Sequence, residues 1–160
     1  MTRHPIDPVY DRNSKVLILG SFPSVKSRET GFFYGHPRNR FWKVLAAVLE
    51  QPVPGSIDAK KEFLLRNCVA VWDVIASCDI TGSSDTSIRN VTVNDLSVIL
   101  DQADVRAIFT NGTTAFRYYV RYAEARTGRP AIGLPSTSPA NAAWDAARLT
   151  EEWKRIRQFL

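Results

Sequence analysis

Four short apolar runs rich in β-branched residues recur along the chain: Val16 to Gly20, Val69 to Ile75, Val105 to Thr110 and Ala131 to Leu134. They alternate with segments of helical periodicity, and this alternation restricts the fold more than any other feature. Each run is too short for a helix and nearly continuous in apolar side chains, the pattern of a strand buried on both faces. Strands of that kind build parallel sheets covered by helices. The helical pattern is clearest after Asn39, where Phe41, Val44, Leu45, Val48 and Leu49 form one stripe. Further helices are expected over Lys60 to Arg66, Asn94 to Gln102, Thr114 to Arg126 and about Ala142 to Phe159. The expected fold is α/β, a three-layer α/β/α sandwich with a central four-stranded parallel sheet. The 160 residues suffice for one such domain, 1–160, and no repeat, linker or low-complexity tract suggests a second.

In sheets of this kind ligands bind beyond the carboxyl ends of the strands. The informative segments are therefore Ser21 to Asn39, Asp73 to Asn90, Asn111 to Thr113 and Pro135 to Asn141. A net charge of +5 leans toward a polyanionic partner. The two cysteines, Cys68 and Cys78, lack CxxC spacing and read as reduced packing residues. His4 and His36 are the only histidines, and with the scattered carboxylates they make no recognised ligand spacing, so neither a metal nor a cofactor is expected. Phosphate-loop, dinucleotide-binding and G-x-S-x-G patterns are all missing, which weakens nucleotide-dependent and serine-hydrolase readings. No apolar run nears the roughly 18 residues of a membrane span, and the N-terminus has no signal-peptide core, so a cytoplasmic location without membrane contact is expected.

The segment GSFPSVKSRETGFFYGHPRNRFW is long, aperiodic and rich in aromatic, glycine and basic residues. Such loops in compact domains tend to be functional. Its rings beside flexible backbone suit stacking on a flat ligand, although core packing explains any single ring equally simply. The second such segment, LPSTSPAN, offers small hydroxyls and backbone N–H groups suited to phosphate, with plain helix capping as the alternative.

Taken together, GSFPSVKS, GFFYGHPRNRFW, WDVIASC, SSDTSIRN and LPSTSPAN resemble the uracil-DNA glycosylase superfamily, most closely its hypoxanthine-DNA glycosylase branch. The resemblance runs from about Lys15 to Asn141. It implies a monofunctional enzyme that flips a deaminated base out of DNA and hydrolyses its N-glycosidic bond, deoxyinosine being the leading substrate. In other branches the first motif carries an Asn that positions the attacking water; the matching residue here is Phe22. In the hypoxanthine branch the catalytic Asn falls in the GHPxNxFW motif, on Asn39, whose amide would accept a hydrogen bond from the water; a helix cap is the plain alternative for this residue. The resemblance further implies that Tyr34 stacks on the extruded base, with Phe33 as fallback. It places Asp73 facing the base, with Gly20, Ser21, Phe22, His36 and Asn111 around the same cleft. Asp73 could instead cap a helix, and His36 could be structural.

In the superfamily the loop resembling LPSTSPAN grips DNA. Ser136, Thr137 and Ser138 are thus expected at phosphates, with Pro139, Ala140 and Asn141 filling the space the base leaves. Lys26 and Arg38, with Arg28 and Arg40, would extend the phosphate-binding surface. The implied partner is double-stranded DNA containing a deaminated base, single-stranded DNA remaining open, and the protein is expected to act as a monomer. A uracil- or xanthine-directed glycosylase and a catalytically silent binder of damaged DNA are the competing readings.

Overall fold

A computed structural model describes all 160 residues. Four strands, β2 (Val16–Gly20), β3 (Val69–Asp73), β6 (Ala107–Asn111) and β7 (Ala131–Leu134), form the expected parallel sheet in the order β3-β2-β6-β7. All five residues of β2 and of β3 are buried, which is why their sequences are apolar on both faces. The sheet is sandwiched between helices in three layers. Helix α2 (Phe41–Val48) packs on α7 (Ala146–Trp153), α3 (Ile57–Arg66) lies against β3, and α5 (Thr113–Tyr118) lies against β6 and β7. The main core is one cluster of 34 buried residues.

A second sheet escapes the sequence reading. The two-residue β1 (Thr2–Arg3), β4 (Ile75–Asp79) and β5 (Arg89–Val93) make a small antiparallel sheet, with β4 in the middle. The run expected as one strand to Ile75 breaks at Val74, whose N–H turns to the carbonyl of Gly20. Beyond it the chain pairs with β1 and β5 in place of the main sheet.

Helix ends follow local chemistry. Ser24 opens α1 (Val25–Thr30), Ser56 opens α3 and Asp145 opens α7, each accepting from a first-turn N–H. The expected helix from Thr114 to Arg126 is interrupted by a π-helical turn, Tyr119–Ala123, before α6 (Glu124–Thr127). Helix α4 keeps only Ser97–Leu100 of the expected span, and the last helix tightens to 3-10 geometry over Lys154–Phe159.

The first strand in the main sheet's chain order, β2, has its successor β3 on one side and β6 on the other. The carboxyl ends of these strands therefore face the crevice where connections diverge, the favoured ligand position in open α/β sheets.

Candidate active site

The crevice is a cleft of about 570 Å³. Its floor comes from the strand ends: Gly20 and Ser21 after β2, Asp73 at the end of β3, and Asn111 at the end of β6. Phe22, Tyr34, His36 and Asn39 come from the long first loop, and Ser136 to Ala140 close the rim. A second hollow of about 670 Å³ adjoins it, sharing Ser21, Asp85, Asn111, Ser136, Ser138 and Ala140.

Gly20 is required by a close approach. A Cβ there would sit 2.3 Å from Oδ1 of Asp73 and 3.1 Å from the Tyr34 hydroxyl. Three groups from different parts of the chain thus meet at the floor. Tyr34 reaches it from a left-handed backbone position, φ 52°, uncommon for a non-glycine residue and typical of functional sites. Its ring stacks on Phe41 at 4.0 Å with an 18° interplanar angle, which covers one face and leaves the other for the cleft. The Tyr34 oxygen is buried outside hydrogen-bonding geometry with any partner. Burial pushes this phenol far above its ordinary range and the Asp73 charge reinforces the shift, while the Asn111 side chain opposes it. Tyr34 therefore stays a neutral donor.

Asp73 is 5% exposed at its side chain, and its Oδ2 accepts a 2.7 Å hydrogen bond from Nε2 of His4, itself 3% exposed. His4 arrives from β1, and the rings of Phe22, Phe33 and Trp72 surround it at 5.9 to 6.5 Å. Sequence reading found His4 only as one of two histidines. Nothing near it in sequence hints at a partner 69 positions away.

Asn39 sits in a polar relay. Its Oδ1 accepts from the Phe41 N–H at 3.0 Å and from the Thr137 hydroxyl at 2.8 Å. Thr137 in turn accepts from the Asn111 amide at 2.9 Å, while its backbone N–H donates to Asn111 Oδ1 at 3.0 Å. The Phe41 N–H demands an acceptor, which fixes which end of the Asn39 amide is oxygen. With two donors already on Oδ1, both lone pairs are used, and the free end is Nδ2. The expected acceptance of a hydrogen bond from water by Oδ1 is corrected on this point: its lone pairs are taken within the protein, and the end without a protein partner is the donor Nδ2. The bond from Phe41 gives Asn39 the helix-end role that was its plain alternative, on a residue that also lines the cleft.

Other expectations need correction. Thr137 is fully buried, so it is a member of the relay and makes no surface contact with phosphate. Phe33 is 2% exposed and packs edge-on against Phe32, so it is a wall of the cleft and offers no open face for stacking. Asn141 donates to the carbonyl of Ser136 and closes the loop on itself. Arg40 is half-buried and donates to the carbonyls of Thr137, Ser138, Asn141 and Trp144, so it clamps the loop from behind. Arg28 donates to the carbonyls of Pro23 and Gly82 and lies over the Phe22 ring, again an internal tie.

Ser136 and Ser138 accept from the N–H groups of Ser138 and Ala140, which leaves both hydroxyl protons to donate outward. Pro139 and Ala140 are exposed at the loop tip. His36 accepts the Arg38 N–H on Nδ1, so its Nε2 is the outward donor. Lys26 and Arg38 are exposed, and neither pairs with a carboxylate. Ile80 and Ser83 to Asp85 also border the cleft, placed there by the second sheet that sequence reading missed.

The model of the uracil DNA glycosylase superfamily matches residues 8–160. The chain belongs to this superfamily. It is 31% identical over 158 residues to a hypoxanthine DNA glycosylase of Methanosarcina acetivorans, covering 98% of each chain. A hypoxanthine DNA glycosylase of Methanosarcina barkeri is 32% identical over 120 residues, 74% of this chain and 76% of that one. Among solved structures, the NMR structure of a candidate uracil DNA glycosylase from Methanosarcina acetivorans superposes with a TM-score of 0.81 at 27% identity, over 98% of this chain and 99% of that one. Membership accounts for the site's position at the strand ends and makes DNA the substrate polymer.

Proposed function

We propose that the protein is a monofunctional DNA glycosylase that removes hypoxanthine from deoxyinosine in double-stranded DNA. The observation that carries this reading is the cleft itself: a polar relay through Asn39, an aromatic face on Tyr34 and a carboxylate on Asp73 converge in it, beside a loop whose Ser136 and Ser138 hydroxyl protons are free to donate. Two relatives named for hypoxanthine excision support the choice of base.

The chemistry follows from what each group can offer. The C1′–N9 bond breaks with its electron pair moving onto the base, and a water oxygen then forms the bond to C1′. The proton that water loses ends on the departed base. In a largely dissociative path the water needs position more than basicity. Asn39 supplies position, its Nδ2 donating to the water oxygen and leaving the second lone pair for C1′. Donors facing the base stabilise the charge that develops on it, and His36 Nε2 is the donor at hand. An aromatic face restores about 1 to 3 kcal/mol of the stacking that the flipped base gives up. The free thiols of Cys68 and Cys78 fit action in the reducing cytoplasm, and the reading takes the monomer as the acting form.

The test is a panel of labelled duplexes containing deoxyinosine, deoxyuridine or deoxyxanthosine, followed by alkaline cleavage at abasic sites. Alkali-dependent product is expected from deoxyinosine and should vanish with Asn39→Ala. Product only from deoxyuridine would move the assignment to a uracil-directed enzyme, and DNA binding without any product would make the protein a silent binder.

A further inference from the structure

We infer that His4 is a positioning residue for base selection: it holds the Asp73 carboxylate so that Oδ1 reads the ring N–H that deamination creates. This rests on the glycosylase reading above and concerns how that cleft tells a damaged base from a normal one.

Deamination of adenine converts ring nitrogen N1 from an acceptor into an N–H donor beside a new carbonyl. A carboxylate only accepts, so it binds the deaminated edge and repels the lone pair of adenine N1. This discrimination depends on Asp73 remaining an acceptor with a fixed orientation. The only side-chain hydrogen bond to its carboxylate is the 2.7 Å contact from His4 Nε2 to Oδ2. Oδ1 is left at the floor of the cleft, against Gly20, with the unpartnered Tyr34 hydroxyl beside it.

His4 is itself held in one tautomer. Its Nδ1 accepts the Ile6 N–H at 3.2 Å, so the ring proton is on Nε2 and points at Asp73. Antiparallel pairing of Thr2 with Cys78 and of Arg3 with Ser77, and the His4 N–H on the carbonyl of Ala76, fix the backbone that delivers the ring. Phe22, Phe33 and Trp72 keep water from the pair. Without the His4 donor the buried carboxylate can rotate or recruit water, and Oδ1 no longer meets the ring N–H in a fixed direction.

The test compares deoxyinosine with deoxynebularine, a purine nucleotide with no 6-oxo group and an unprotonated N1. Wild type, His4→Ala, His4→Gln and Asp73→Asn are assayed for base release and for binding of duplexes bearing uncleavable 2′-fluoro analogues of both nucleotides. His4→Ala should lower kcat/KM for deoxyinosine roughly 10- to 100-fold, the range for losing a hydrogen bond to a charged group, with deoxynebularine changed far less. His4→Gln keeps a donor at the Nε2 position and should restore most of the selectivity ratio; Asp73→Asn should lose it. Equal losses on both substrates, with an unchanged ratio, would mean that His4 only supports the fold and would overturn the inference. Should wild type release no hypoxanthine, the glycosylase reading fails, and the binding arm still decides this one: equal wild-type affinity for the two analogue duplexes overturns it.

Discussion

Because both lone pairs of Asn39 Oδ1 are engaged, two replacements separate the duties of this residue. Asn39→Asp keeps an acceptor for Phe41 and Thr137 but loses the outward N–H. It should retain thermal stability while losing roughly 100-fold or more in single-turnover rate on deoxyinosine, the scale of a misplaced nucleophile. If water were held by the oxygen, aspartate would be as good or better. Asn39→Ala loses the cap as well and should cost about 1 kcal/mol in urea unfolding. Gly20→Ala acts at the floor of the cleft, its methyl falling inside contact distance of Asp73 Oδ1. We expect a folded protein with the carboxylate displaced, visible as lost deoxyinosine turnover with affinity for undamaged duplex retained.

At the scale of elements, the first long loop and the LPSTSPAN segment behave as one device because Arg40, from the start of α2, grips three carbonyls of the second and that of Trp144 just beyond it. Arg40→Met should destabilise the protein by about 2 to 3 kcal/mol in urea melts and weaken binding to damaged and undamaged duplex alike. An effect confined to damaged DNA would show that the guanidinium contacts the flipped nucleotide. Elements were legible in the sequence where burial imposed a period. The four main-sheet strands are apolar because helices cover both faces, and the Phe41 stripe declares α2. Strands β4 (IASCD) and β5 (RNVTV) carry polar residues on a half-exposed sheet and leave no such run. Helix α1 (VKSRET) buries only Ser27 and so has no apolar stripe to see. Motif resemblance singled out Asn39, Tyr34 and Asp73, which meet in one cleft. Long-range polar partners such as His4 and Thr137 have no local signature, because a hydrogen bond across 69 or 98 positions is set by topology.

Across the whole molecule, the net charge of +5 includes arginines that the fold uses internally. Arg28 and Arg40 tie backbone, leaving Lys26 and Arg38 as free cations from the same region. The salt dependence of DNA binding should therefore be shallow, and Lys26→Ala or Arg38→Ala should each reduce the slope of log K against log salt by about 1 if that residue contacts a phosphate. Alkaline stability is a second global property. Burial raises the Tyr34, Tyr119 and Cys78 groups above ordinary values of 10.0, 10.0 and 9.0. The unfolded chain releases these protons first, so the stabilisation is complete below about pH 9 and declines as pH rises toward the folded-state values. Urea midpoints should fall between pH 8.5 and 10.5 on this account, and a flat profile would contradict it.

The relay that joins Asn39 to Thr137 and Asn111 also makes the site depend on long-range folding. The loop that carries Thr137 must return to a residue laid down 98 positions earlier. The grip on Asn39 therefore exists only once the loop after β7 has docked, which ties the readiness of the cleft to closure of the main sheet.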